Sequence, residues 1–104
     1  MNPATRERIV ATIQSKPVVL FMKGNKAVPQ CGFSAQVVGI LSRAKVDFLD
    51  VDVLADPELR QGLKEYSSWP TFPQLYIAGK LVGGADIVSA MSQSGELDRL
   101  LAAG

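Results

Sequence analysis

The sequence has a single cysteine, Cys31, and no histidine. One cysteine cannot form an internal disulfide, so the fold needs no oxidising compartment and we expect a cytoplasmic protein. The lack of histidine excludes Ser/His and Cys/His catalytic pairs, and also the usual structural zinc sites, because one cysteine with carboxylates is a poor ligand set. If Cys31 is reactive, its partner must come from outside: a small thiol, a thiol of another protein, or a metal.

Excess charge and long hydrophobic runs are also absent. Eleven basic and ten acidic residues give a net charge of +1, and no basic stripe with interleaved aromatics is present, so we expect no nucleic acid partner. The longest apolar run, Val18–Met22, is too short to span a bilayer, and no apolar segment follows the charged N-terminus. With 47% hydrophobic residues, the chain is expected to be one soluble domain over residues 1–104, without a membrane or targeting segment.

Helical and strand patterns alternate along the chain, and Asn2 and Asp56 stand where they can begin the first and third helices, each followed by proline. The helices are predicted over residues 3–15, 32–43, 57–67 and 85–104, the last broken near Gly95, and the strands over 17–22, 48–53, 74–77 and 80–83. In the second strand, Asp50 and Asp52 make one face more polar. The order αβαβαββα predicts an α/β protein with a four-stranded mixed sheet flanked by helices on both faces, which resembles the thioredoxin-like fold.

Cys31 directly precedes the second helix, at the carboxyl end of the first strand, where open α/β sheets place their ligand crevices. The positive end of the helix dipole lowers a thiol pKa there, and Lys23 is a candidate second cation. The alternative is an inert cysteine packed like a small apolar side chain, but Gly32 and the polar loop indicate exposure. Ser34 stands where the second thiol of a Cys-x-x-Cys motif would lie, although it could equally be an ordinary polar residue of an early helical turn.

The stretch WPTFPQ, residues 69–74, places Pro73 directly before a strand. A cis bond there would turn the backbone of Phe72 toward the crevice, where an extended peptide could pair with it; the alternative is a strand-initiating proline in an ordinary turn.

In the stretch GGAD, residues 83–86, two glycines let the backbone approach a ligand closely. Asp86 is expected to cap the last helix and to meet an ammonium group, although Gly-Gly before a helix is also common. Lys23 and Arg60 would bind carboxylates, unless they are only solvated charges. Together with a thiol at Cys31 and the backbone of Phe72, these groups match glutathione.

The motifs FMKG, CGFS, LRQGLKEYSSWPTFPQLYI and GGADI resemble, in order and spacing, the monothiol glutaredoxins with a CGFS active site, over nearly the whole chain. The resemblance implies a thioredoxin fold and an extended active-site loop between Lys23 and Cys31 that is linked to weak oxidoreductase activity. It also implies a glutathione site formed by Lys23, Cys31, Phe33, Arg60, Phe72, Pro73, Gly84 and Asp86. Many members have a second cysteine where this chain has Ala85, which excludes a regulatory disulfide here.

The resemblance further implies a role in the assembly, storage or transfer of iron-sulfur clusters. A 2Fe-2S cluster takes four thiolate-class ligands, and this chain supplies one. The expected cluster-bound form is therefore a homodimer with Cys31 and one glutathione thiolate from each subunit. A BolA-type protein and apo iron-sulfur proteins are the further partners implied. Two alternatives remain open: a monothiol oxidoreductase that removes glutathione from mixed disulfides, and a domain retained only for protein contacts, in which Cys31 would be dispensable.

Overall fold

The computed structural model describes residues 1–103, in which the predicted alternation of helices and strands is confirmed. The helices are α1 Pro3–Ser15, α2 Gly32–Arg43, α3 Pro57–Ser67, α4 Ala85–Ser94 and α5 Glu96–Ala103. The strands are β1 Val18–Met22, β2 Leu49–Asp52, β3 Gln74–Ile77 and β4 Lys80–Gly83. A short 3-10 helix over Val53–Ala55, which the sequence pattern did not predict, joins β2 to α3.

The four strands form one mixed sheet in the order β2-β1-β3-β4. β1 runs parallel to β2, with Met22 opposite Asp52, and antiparallel to β3, with Phe21 opposite Gln74. β4 pairs antiparallel with β3. The carboxyl ends of β1 and β2 and the beginning of β3 therefore meet at one edge of the molecule, and this edge carries the candidate site.

Three residues were predicted from the sequence to cap the starts of helices, and the structure confirms two of them. Asn2 accepts a hydrogen bond from the backbone N–H of Thr5 at 2.8 Å, and Asp56 accepts one from Leu59 at 3.1 Å. The expectation that Asp86 caps the last helix is wrong. Because α4 already begins at Ala85, Gly84 is its N-cap, and Asp86 lies in the first turn. There its carboxylate still complements the positive end of the helix.

All five residues of β1 are buried, as expected for a strand covered on both faces. Its alternate side chains enter two apolar clusters. One cluster packs the sheet against α2, α4 and α5, and its members include Leu20, Met22, Val37, Leu41, Val88 and Leu97. The other packs it against α1 and α3, and its members include Ile9, Ile13, Phe21, Leu59, Leu63 and Tyr76. Helices thus cover both faces of the sheet, which confirms the predicted fold.

Across residues 1–103, no helix combines the length and the apolar character needed to cross a membrane.

Candidate functional site

A cleft of about 440 Å³ opens at the edge where β1 ends and β3 begins. All eight residues that the sequence nominated for the site line it: Lys23, Cys31, Phe33, Arg60, Phe72, Pro73, Gly84 and Asp86. Six more residues complete the lining: Lys64, Trp69, Pro70, Thr71, Ala85 and Ile87. The volume lies in the usual range for small-molecule sites, roughly 300–1,000 Å³.

Cys31 is the N-cap of α2, and its side chain is partly exposed to the cleft rather than packed in a core cluster. The backbone N–H of Ser34, in the first turn of α2, is the main cause that lowers the pKa of the Cys31 thiol. The N–H of Phe33 and the charge of Lys23 act in the same direction, while burial opposes them. The unpaired N–H groups at the start of a helix thus stabilise a thiolate here, which argues against the inert-cysteine alternative.

The pH dependence of Cys31 alkylation tests this thiolate. We expect the rate with iodoacetamide to rise at lower pH in the folded protein than in the urea-unfolded chain, because the folded thiol has the lower pKa. Replacing Lys23 by glutamine should move the midpoint back toward higher pH, since one stabilising charge is lost. The matched control is Lys80→Gln, which removes an exposed lysine outside the cleft. Identical profiles for the folded and unfolded chains would contradict the assignment.

Ser34 is fully buried, and its hydroxyl accepts a hydrogen bond from the backbone N–H of Lys23 at 3.1 Å. The hydroxyl therefore joins the end of β1 to the first turn of α2. It also contributes to lowering the pKa of the Cys31 thiol. Ser34 is thus more than an ordinary polar residue of an early helical turn, because it holds Lys23 and Cys31 close together.

The wall of the cleft opposite α2 is held by a buried polar side chain. Gln74 is 0% exposed, and its Nε2 donates to the carbonyl oxygens of Trp69 at 3.1 Å and Thr71 at 3.3 Å. Its Oε1 accepts from the Tyr76 hydroxyl at 3.0 Å. Burial raises the pKa of Tyr76 to about 12, with a smaller opposing effect from the Ser67 hydroxyl. Next to this wall, the Phe72-Pro73 peptide bond is cis, as the sequence had suggested.

Two cationic side chains of α3, Arg60 and Lys64, face the cleft one helical turn apart. The Nε of Arg60 and the indole N–H of Trp69 are both buried, and neither has a hydrogen-bond partner within residues 1–103. Unpaired buried donors are uncommon in folded proteins. The positive charges of Arg60 and Lys64, rather than these buried donors, make this end of the cleft suited to a carboxylate.

Four residues that line the cleft were not predicted from the sequence, although their positions in it could have indicated them. Lys64 follows Arg60 by four positions, so helical spacing alone places it on the same face. Trp69 and Thr71 belong to the stretch that supplied Phe72 and Pro73. Ile87 is one residue beyond Asp86, and it is 39% exposed. The largest exposed apolar side chain at the rim is Phe33, at 60%.

A mixed four-stranded sheet with a thiol at the start of α2 and a proline directly before β3 defines a protein of the thioredoxin-like class. A family model described as Glutaredoxin matches residues 18–82. The chain belongs to the glutaredoxin family.

Proteins named as monothiol glutaredoxins resemble this chain closely. The "Uncharacterized monothiol glutaredoxin ycf64-like" of Synechocystis sp. is 52% identical over 101 residues, which cover 97% of this chain and 94% of that protein. The "Probable monothiol glutaredoxin 2" of Rickettsia conorii is 58% identical over 91 residues, covering 88% and 85%. The solution structure of reduced poplar apo GrxS14 superposes with a TM-score of 0.83 at 53% identity, covering 94% of this chain and 90% of that one. These relatives confirm the resemblance to monothiol glutaredoxins.

Proposed function

We propose that this protein binds glutathione in the cleft and, as a homodimer, carries a 2Fe-2S cluster for iron-sulfur cluster assembly, storage or transfer. The main observation behind the proposal concerns Cys31, whose thiol has a lowered pKa. It lies in a cleft whose other charged groups match the charged groups of glutathione. The single-domain organisation over residues 1–104 and the cytoplasmic location remain predictions.

The chemistry of the lining residues supports glutathione as the ligand. Lys23, Arg60 and Lys64 supply positive charge for its two carboxylates. Asp86, exposed at the start of α4, supplies a carboxylate for its amine. The backbone of Phe72 is the proposed partner for its peptide groups, and Cys31 is the partner of its thiol.

The ligand count supports sharing of the cluster between two subunits. A 2Fe-2S cluster takes four thiolates, whereas this chain has one cysteine. Within residues 1–103, no three His, Cys, Asp or Glu side chains are grouped so that they could hold a metal. Two copies of Cys31 and two glutathione thiols complete the set, and the lowered pKa of Cys31 favours the thiolate that a metal requires.

A cluster held by separate, non-covalently assembled pieces should be labile, which suits a carrier. Apo iron-sulfur proteins are the proposed recipients. A BolA-type protein is a proposed partner that would share the cluster. It would have to contribute a histidine or a similar ligand, because this chain has no histidine.

Anaerobic reconstitution tests the carrier proposal. The purified protein is incubated with iron, sulfide and glutathione, and is then examined by visible absorption and size-exclusion chromatography. We expect a brown dimer that forms only when glutathione is present, because glutathione supplies half of the ligands. A colourless monomer, or a cluster that forms equally well without glutathione, would contradict the proposal.

The accessibility and lowered pKa of the Cys31 thiol also favour a second candidate function, removal of glutathione from mixed disulfides. The Cys31 thiolate would attack the glutathione sulfur of the mixed disulfide and release the other thiolate, which takes up a proton. A second glutathione thiolate would then attack the glutathione sulfur bound to Cys31, giving glutathione disulfide and the free Cys31 thiolate. This reaction needs neither iron nor a dimer, so turnover by a colourless monomer would identify it.

A further inference from the structure

The loop of residues 24–30, between β1 and α2, is closed on itself beside the thiol. The backbone N–H of Gln30 donates to the carbonyl oxygen of Lys23 at 2.9 Å, which joins the two ends of the loop. Gly24 has a φ of 84°, and a Cβ there would lie 2.6 Å from the carbonyl oxygen of Val28. The tight fold of the loop therefore requires glycine at this position.

Two carboxylates of the edge strand β2 hold this loop from outside the cleft. Asp52 Oδ1 accepts hydrogen bonds from the backbone N–H groups of Gly24 at 3.0 Å and Leu54 at 2.9 Å. Asp50 Oδ2 accepts one from the N–H of Lys26 at 2.9 Å. Both side chains lie on the same face of β2 because they are two residues apart. Neither of them lines the cleft.

The anchored loop connects directly to the two residues that carry the chemistry. Gly24, bonded to Asp52, follows Lys23, and Gln30 precedes Cys31. The N–H of Lys23 is itself bonded to Ser34 of α2. A shift at Gly24 would therefore move Lys23 and, through the bond between Lys23 and Gln30, the residue that leads into Cys31.

We propose that Asp52 is a positioning residue that fixes the loop so that Lys23 and Cys31 face the cleft together. Asp50 is a second anchor of the same loop. The expected effect of Asp52 on glutathione affinity rests on the proposed glutathione site. Its expected effect on the structure of the loop does not depend on glutathione. Hydrogen bonds from backbone N–H groups to a carboxylate are among the stronger ones in proteins. The bond from Gly24 therefore anchors the start of the loop to Asp52, while the bond from Leu54 ties the same carboxylate to the turn after β2.

The test compares Asp52→Ala, Asp52→Asn and Asp50→Ala with the wild type. Reduced glutathione is titrated calorimetrically, and amide hydrogen exchange at Gln30 is followed by NMR without ligand. Asp52→Ala should weaken glutathione binding and speed exchange at Gln30, each by about tenfold, since the loop loses the hydrogen bond from Gly24 to a charged group. Gln30 is not bonded to Asp52, so its exchange reports on the loop as a unit.

The asparagine variant separates positioning from charge. Asp52→Asn removes the same charge as Asp52→Ala but keeps a neutral acceptor oxygen, so it should lie between the wild type and Asp52→Ala, at an effect of about threefold. Asp50→Ala also removes one bond to the loop, but it should weaken binding by only about threefold, because the Nζ of Lys26 still donates to the carbonyl oxygen of Phe48 at 3.0 Å. If Asp52→Ala does not fold, Asp50→Ala decides: an unchanged glutathione affinity and Gln30 exchange rate in that variant would overturn the proposal.

The proposal is also overturned if a folded Asp52→Ala protein matches the wild type at Gln30, or if Asp52→Asn is as impaired as Asp52→Ala. The Asp86→Ala variant serves as the control for the glutathione site. Absence of glutathione binding by the wild type would refute the proposed function, but the exchange of Gln30 would still decide whether Asp52 positions the loop.

Discussion

The Cys31→Ser protein is expected to lose the proposed cluster binding and thiol exchange completely while keeping its fold. A serine hydroxyl stays protonated at neutral pH, so it is neither a soft metal ligand nor a nucleophile toward sulfur. Cys31 is half-buried and forms no disulfide, so little packing is lost. As the N-cap of α2 it makes no side-chain capping bond, whereas serine is a favoured N-cap residue. The variant should therefore be as stable as the wild type, or more stable by up to about 1 kcal/mol.

Reconstitution with iron, sulfide and glutathione, together with an assay on a glutathione mixed disulfide, measures both losses. Thermal unfolding of Cys31→Ser and Cys31→Ala measures the capping effect. Alanine lacks the capping oxygen and should be the less stable of the two, although both should be inactive. Retention of either activity by Cys31→Ser would mean that the thiol is dispensable, as expected for a domain used only for protein contacts.

Most of the fold could be predicted because its signals are local. The unbroken apolar run of β1, the prolines after Asn2 and Asp56, and the glycine that ends α4 each specify an element boundary within a few residues. The 3-10 helix after β2 has no such signal. It is three residues long, and the bond from the N–H of Leu54 to Asp52 holds it.

The members of the site could be predicted for a related reason, since they lie at the ends of elements that the topology brings to one edge. Lys23 directly follows β1, Cys31 precedes α2, and Pro73 precedes β3, which runs antiparallel to β1. The residues that hold the site were not predictable in this way. The loop partner of Asp52 and the partner of Ser34 are 28 and 11 residues away in sequence, so a polar strand face and a helical serine give no local sign of them.

Gln74→Leu is expected to reduce the free energy of unfolding by about 2–4 kcal/mol, because a buried polar group left without its partner costs about 1–3 kcal/mol. Leucine has a similar size but no polar atoms. The change leaves the Tyr76 hydroxyl and the carbonyl oxygens of Trp69 and Thr71 without the bonds that Gln74 makes. Since Trp69 and Thr71 line the cleft, glutathione binding should weaken as well.

Urea unfolding of Gln74→Leu, Tyr76→Phe and the double variant measures this network. Tyr76→Phe removes one bond and should cost about 1 kcal/mol. The double variant should be less destabilised than the sum of the two single changes, because it no longer buries a hydroxyl without its Gln74 partner. A Gln74→Leu protein as stable as the wild type would show that the bonds to Trp69 and Thr71 contribute no net stability. The cleft wall would then be held by apolar packing alone, and glutathione affinity should be unchanged in the same variant.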